Sequence, residues 1–413
     1  MTPVQASRSR LALGLAVLGL AAIALLWPAT APAQSPSYSR AIPSFPRPLG
    51  SADPAARVRR LGGVEAPALR ARPGPAAAAD DHLYRRMADG AYLPLTAPGY
   101  VIVNGVCPAT GAIDVRGRMV DLAAAEWLAF GLPVLDFTRT GETAVPRADG
   151  VDIVEPRLNF ATGERISRRA LRLGLMEDDD DVRAAIAGYW AATGSDEALR
   201  LQAVVNYGDR EAGWSQPWSA AFVSWLACES GLSPQQFRRS GRHFDYVRAA
   251  VAARDGRDPA HAYIAYDLGE ARPTHGDLVC AARGGAGFAS IADIRSRDVD
   301  DSTALHCDLV VKTDPAHGRL YAIGGNVAHA VTLSIIAIDA DGRVLSDLDV
   351  IGARRWFTVL KFRGVPDPAR DLDCTPAILG LPGSYQRYAA AIGASVPEQT
   401  PTDADRREAG CPP

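Results

Sequence analysis

The order of helical and strand-like patterns predicts an α+β fold, in which helices come first and a small antiparallel sheet follows. Apolar residues recur at helical spacing before residue 255, for example Ile186, Tyr189 and Trp190. After Pro273 the period changes to that of short strands separated by turns. Strands that follow one another in a meander pair antiparallel, so we expect N-terminal helices packed on an antiparallel sheet.

Composition is that of an ordinary globular protein. The 413 residues suffice for two modest domains, or for one domain with large extensions. Hydrophobic residues make up 47% of the chain and the formal net charge is −3. Such a charge offers no electrostatic reason to expect nucleic-acid binding.

The N-terminus has the pattern of an export signal. Arg8 and Arg10 precede an unbroken apolar run from Leu11 to Trp27, and small residues follow up to Ala33. This order predicts a signal peptide that is cut after Ala33. The run is near the upper length for such a segment, so an uncleaved membrane anchor is the alternative. We therefore expect a periplasmic or secreted protein, which contacts a membrane only through an uncleaved signal if at all.

Composition divides the chain into five segments. They are a signal peptide (1–33), a flexible spacer rich in Pro and Ala (34–90), an accessory segment of unassigned role (91–176), the main domain (177–365) and a loop-rich tail (366–413). The accessory segment is either a small domain of its own or an arm wrapped on the main domain. The acidic run at 177–181 lacks the glycine of a calcium loop. We interpret it as a solvated helix start, because acidic side chains favour a helix N-terminus.

Within the main domain, the apolar spacing predicts helices at 182–192, at 197–205, from Ser219 to near Gly231, and at His243–Arg254. A further helix is expected at Val120–Phe130 in the accessory segment. Strands are predicted at 276–281, 305–312, 319–323, 331–338 and 356–362.

Six cysteines follow the predicted signal peptide, and an even number in an oxidising compartment permits disulfides. We favour a pair between Cys374 and Cys411, because both lie in a tail that otherwise lacks anchors. Cys280 and Cys307 lie in predicted strands, as buried thiols or as a cross-strand pair. No cysteine has metal-site spacing, and we expect neither a metal nor a cofactor.

Ser219 stands at the start of a strongly apolar helix, and two interpretations are open. The residue is a helix cap, which is the common role of serine at this position and is favoured by this stretch alone. Alternatively it is a nucleophile, since the free N–H groups at a helix N-terminus can hold a developing oxyanion.

Two later residues offer partners for such a nucleophile. His306 and Asp308 share one face of a predicted strand, and Cys307 points to the other. Asn326 ends the next strand, where an antiparallel neighbour places it beside the start of the His306 strand. Asn326 is thus positioned to orient the His306 ring, as the third member of a catalytic triad does.

This order resembles the papain-like hydrolases of bacterial cell walls, the NlpC-type endopeptidases and the CHAP amidases. The stretch from Trp218 to Val223 is similar to their Trp-Cys-Ala-Ala-Phe-Val, with Ser219 in place of cysteine. The stretch 273–277 resembles their Pro-x-x-Gly-Asp motif, and His306 and Asn326 match their catalytic histidine and polar third residue. The resemblance covers about residues 180–340 and is strongest to the bacterial domain-of-unknown-function family 2272.

The resemblance implies a papain-like core and three hypotheses for function. In the first, the protein hydrolyses peptide or amide bonds in peptidoglycan, with Ser219 as nucleophile, His306 as base and Asn326 as the orienting residue. Asp308 would then add negative charge beside the histidine. In the second, an inactive papain-like domain binds cell-wall peptide or an envelope partner. In the third, the domain only docks partner proteins.

A substrate cleft is expected in the first two hypotheses. Four residues are candidates to line it, namely Tyr207, Trp214, Trp218 and His243. The alternative for all four is that they are core aromatics and a histidine with structural hydrogen bonds.

Overall fold

The computed structural model describes residues 47–48, 51–61, 84–86, 92–94, 99–108, 114–138, 151–158, 165–172, 174–208, 213–283, 288–297, 304–345, 355–367, 370–380 and 411. The expected signal peptide and its cleavage site lie outside these residues. Among the helices of this described part, none has the length and apolar character needed to cross a bilayer.

Helices and strands alternate little along the chain. The helices are α1 (Val115–Ala129), α2 (Asp180–Ala192), α3 (Glu197–Gly208), α4 (Ser219–Glu229), α5 (His243–Arg254), α6 (Ile291–Arg295) and α7 (Pro376–Leu379). The strands are β1 (Val58–Arg60), β2 (Tyr84–Arg86), β3 (Tyr92–Pro94), β4 (Tyr100–Ile102), β5 (Val134–Asp136), β6 (Val151–Leu158), β7 (Arg165–Arg172), β8 (Tyr263–Asp267), β9 (Leu278–Ala282), β10 (Leu305–Asp314), β11 (Arg319–Val327), β12 (Ala330–Ala337) and β13 (Arg355–Phe362).

One seven-stranded sheet dominates, in the order β5-β12-β11-β10-β9-β13-β8. The run β9 to β12 is a meander in which each strand pairs antiparallel with the next. Only β5 pairs parallel to its neighbour, β12. Helices followed by a largely antiparallel sheet confirm the α+β class.

Helix α4 lies at the centre of the core, where all of its residues are buried. It packs against α2, β10 and β11. Gly325 permits the close approach of β11, because a Cβ there would lie 2.6 Å from the Cβ of Phe222. The N-terminus of α4 is thereby held against the middle of the sheet.

Part of the expected accessory segment belongs to this core. Helix α1 is buried over most of its length and contacts α4 and three sheet strands. Strand β5 joins the main sheet. Of the two possibilities left open for this segment, these elements fit the arm wrapped on the main domain. Helix α1 has buried residues on most of its sides, so its sequence shows no one-sided pattern.

Residues 51–60 also differ from the flexible spacer that the composition indicated. Arg57 is buried and forms an ion pair with Glu229 at the end of α4. The carbonyl of Pro54 lies so close to Gly188 of α2 that a Cβ there would collide with it. A buried cation and tight backbone packing hold this stretch on the domain despite its loop-like composition.

Three disulfides are formed. The pair between Cys374 and Cys411 confirms the prediction for the tail. Cys280 and Cys307 face each other across β9 and β10 and form the cross-strand pair. The third bond joins Cys107 to Cys228 of α4.

Candidate active site

Ser219 is the first residue of α4, and Trp218 occupies the N-cap position. The indole of Trp218 donates a hydrogen bond to Glu177 Oε2 at 2.8 Å, which anchors the start of the helix. The first backbone bond runs from Phe222 N to Trp218 O, so the N–H groups before it have no acceptor within the helix. They form a small region of positive potential beside the Ser219 hydroxyl.

The Ser219 hydroxyl does not cap the helix, so the interpretation that the isolated stretch favoured was wrong. Its Oγ lies 2.7 Å from Nε2 of His243, the first residue of α5. Both side chains are almost fully buried. The packing of α5 beside α4 therefore supplies the serine with an imidazole.

His243 is itself oriented by the next turn of α5. The Tyr246 hydroxyl is hydrogen-bonded to its Nδ1. Burial, together with the charge of Asp308, raises the pKa of Tyr246 well above its usual range, so the phenol is neutral. A neutral phenol can accept the Nδ1 proton, and Nε2 then has a lone pair for the serine proton.

The sequence correctly predicted that His243 begins a helix. The role predicted for its side chain, however, was to line a cleft. The available signal was the spacing of His243 and Tyr246, which puts their side chains on the same helix face. That spacing does not reveal which serine the histidine meets.

His306 lies next to His243, with the two ring centroids 5.3 Å apart. Its Nε2 is hydrogen-bonded to Asp308 Oδ1, and its Nδ1 accepts from Arg283 Nη2 at 3.0 Å. An arginine always donates and a carboxylate accepts, so His306 has the tautomer with its proton on Nε2. Both ring nitrogens are occupied in this arrangement.

The Asp308 carboxylate is held from two further sides. Ser334 Oγ donates to Oδ2 at 3.1 Å. Gly324 lies directly beneath Oδ1, where any Cβ would collide with the oxygen. A glycine at this position of β11 is required for the aspartate to reach His306.

The expected triad is thus brought together only in part. The hydrogen bond of Ser219 is to His243, whereas we expected His306. The paired register of β10 and β11 runs from Leu309–Ile323 to Asp314–Arg319 and so ends before His306 and Asn326. Asn326 lies in a bulge with a positive φ of 54°, and the carboxylate on the His306 ring is that of Asp308. The roles of His306 and Asn326 in catalysis stay predictions.

Two of the three aromatic residues that were expected to line a cleft are buried instead. Trp218 is fully buried and contacts the rings of Phe130 and Tyr189, as a core residue does. Trp214 is also buried. Tyr207 belongs to α3, but its side chain lies outside the described residues.

The Gly-Asp pair at the start of β9 has a structural role. Asp277 is fully buried, and its carboxylate accepts from Thr274 N at 2.7 Å and from Phe362 N at 2.9 Å. It also pairs with Arg116 of α1 at 3.2 Å. These bonds tie the turn before β9 to β13 and to α1, so the motif positions strands rather than reacting groups.

The site can support proton transfer between a serine and an imidazole. Within the described ranges, no group of three or more potential metal ligands occurs. In this conformation Ser219 is 3% exposed and His306 is inaccessible, so a substrate needs local opening to reach the hydroxyl.

Residues 178–362 match the model of a family described as "Uncharacterized protein conserved in bacteria (DUF2272)". The matched region runs from just before α2 to the end of β13 and contains Ser219, His243 and His306. It includes the region for which the sequence resembled family 2272. No curated protein and no solved structure matches the chain.

Proposed function

We propose that the protein is an exported serine hydrolase of peptide or amide bonds in peptidoglycan, with Ser219 as nucleophile and His243 as general base. The observation that carries the proposal is the 2.7 Å contact between Ser219 Oγ and His243 Nε2 at the N-terminus of a buried helix. The wall substrate and a papain-like ancestry rest on the Trp218–Val223 stretch. Export rests on the apolar segment that precedes Ala33.

The chemistry follows from this geometry. His243 Nε2 removes the proton as Ser219 Oγ attacks the carbonyl carbon, and the oxyanion is held by the unused N–H groups of α4. His243 then gives the proton to the leaving amine. A water molecule, deprotonated by His243, releases the acyl group from Ser219 and restores the hydroxyl. Tyr246 keeps Nδ1 protonated throughout, and the Asp308–His306 pair adds negative charge near the imidazolium.

The first experiment is mass-spectrometric analysis of peptidoglycan incubated with the mature full-length protein. Wild type is expected to release new fragments and Ser219→Ala none. The matched control is Ser224→Ala, on the same helix, because Ser224 Oγ donates to Ser240 O at 2.9 Å and accepts from Ser240 N at 3.0 Å, away from His243. Fragments that persist in Ser219→Ala would reject the serine as nucleophile.

A second pair of variants identifies which histidine is the general base. His243→Ala is expected to abolish release, because the hydroxyl loses the imidazole to which it is hydrogen-bonded. His306→Ala is expected to reduce it less, since the His306 nitrogens are occupied by Asp308 and Arg283. The opposite ranking would restore His306 as the base.

The near-complete burial of Ser219 favours a second candidate, an inactive domain that binds cell-wall peptide or an envelope partner. Labelling with a fluorophosphonate separates the two functions. An adduct on Ser219 identifies an activated hydroxyl. If wild type gives neither adduct nor fragments but sediments with purified peptidoglycan, the binding function is the correct one.

A further inference from the structure

A surface pocket of about 770 Å³ lies on the side of α5 away from Ser219. Its charged lining consists of four arginines and two aspartates, namely Arg238, Arg242, Arg248, Arg257, Asp245 and Asp258. The first turn of α5 thus contributes to two places: His243 contacts Ser219, and Arg242 and Asp245 line the pocket. Cations outnumber carboxylates in the lining.

Two of these arginines are already neutralised. Arg242 pairs with Asp245 at 2.8 Å, and Arg257 pairs with Asp255 at 2.8 Å. Arg238 and Arg248 form no ion pair or hydrogen bond with their side chains in the described part of the chain, and Arg248 Nη1 is buried. Within the described residues these two guanidinium groups therefore have no ion-pair partner, and Asp258 is the carboxylate that shares the lining without a close arginine.

His261 adds an unpartnered nitrogen to the same lining. The side chain is 1% exposed, and its Nδ1 lies 3.0 Å from the carbonyl oxygen and 3.2 Å from the backbone nitrogen of Tyr263. Among the described residues, Nε2 has no hydrogen-bond partner. A buried polar atom without a partner is costly, and it points to a ligand that supplies one.

We propose that this pocket binds an oxyanion, either a phosphate or a carboxylate, between Arg238 and Arg248. Guanidinium groups suit both anions, because their paired N–H groups match two oxygen atoms. The site is separate from the Ser219–His243 pair, so anion binding does not depend on hydrolysis. The ligand class is an anionic group on a small molecule or on a flexible chain.

Isothermal titration of the full-length protein with inorganic phosphate and with glutarate tests the proposal. At constant ionic strength, at least one anion is expected to bind with saturation. Arg238→Gln and Arg248→Gln should each weaken Kd about tenfold, the effect of losing one charge-assisted contact. Saturation by phosphate alone identifies a phosphate site, and saturation by glutarate alone a carboxylate site.

Arg355→Gln is the matched control. Arg355 is exposed at the start of β13, whereas Phe362, at the other end of the strand, pairs with Tyr263 beside His261. The control removes the same charge far from the pocket and should leave Kd within about twofold of wild type. Absence of saturable binding by both anions, or equal affinities in Arg238→Gln and Arg355→Gln, overturns the proposal. Arg238 is exposed, so its substitution tests the site without disturbing the core.

Discussion

The packing of Gly324 against Asp308 gives the sharpest test of the site's architecture. In Gly324→Ala the new methyl group collides with Asp308 Oδ1, which is fully buried between His306 and Ser334. Forcing an extra carbon into a packed site costs about 1–3 kcal/mol. Displacing the carboxylate from one of its partners costs about a further 1.5–3 kcal/mol. The free energy of unfolding should therefore fall by about 2.5–6 kcal/mol.

Urea unfolding of the oxidised protein measures this change, from the midpoint and the slope of the transition. The control is Gly269→Ala, where a Cβ would meet no heavy atom within 4 Å. Its stability should be unchanged or raised by up to about 1 kcal/mol, because alanine restricts the unfolded chain. If Gly324→Ala is as stable as Gly269→Ala, the carboxylate does not lie over the glycine, and the account of how Asp308 reaches His306 is refuted.

Three further predictions concern chemistry, pH and the tail. Tyr246→Phe removes the partner of His243 Nδ1, and kcat/KM for wall fragments should fall about 10–100-fold with an unchanged KM; an unaltered rate would exclude the phenol as an orienting group. Burial raises the pKa of Asp371 from 3.8 to about 6. The folded state then binds more protons than the unfolded state, so the free energy of unfolding should decrease as the pH rises from about 4 to 6. Asp371→Asn should flatten that part of a plot of stability against pH. Replacing Cys374 and Cys411 together by serine should lower the unfolding free energy by about 2–4 kcal/mol, measured in urea; a stability equal to wild type would mean that this bond does not restrain the chain.

Local patterns predicted several elements of this fold well. Helix α5 spans His243–Arg254 as the apolar spacing indicated, and α2 begins at the acidic run. The meander β9 to β12 follows the predicted order. These features depend on periodicity and on turn residues close in sequence, and both are readable from a single chain.

Elements whose place in the fold depends on residues far away along the chain could not be predicted from local patterns. The accessory segment contains α1, whose burial on most sides gives no amphipathic stripe to reveal its neighbours. Strand β5 is too short to be distinguished by pattern, and only its parallel pairing with β12 assigns it to the main sheet. Arg57 is charged, and its burial depends on Glu229, which lies far away along the chain.

The sequence by itself determined the α+β class, the place of Ser219 at the start of a buried helix, and the sharing of one strand face by His306 and Asp308. Tertiary structure alone decided that Ser219 meets His243, because that contact depends on the relative placement of α4 and α5. Side-chain period within a helix or strand is a local property of the backbone. The choice between two histidines as the partner of one serine is set by packing distances of a few ångströms between elements, which no local pattern encodes.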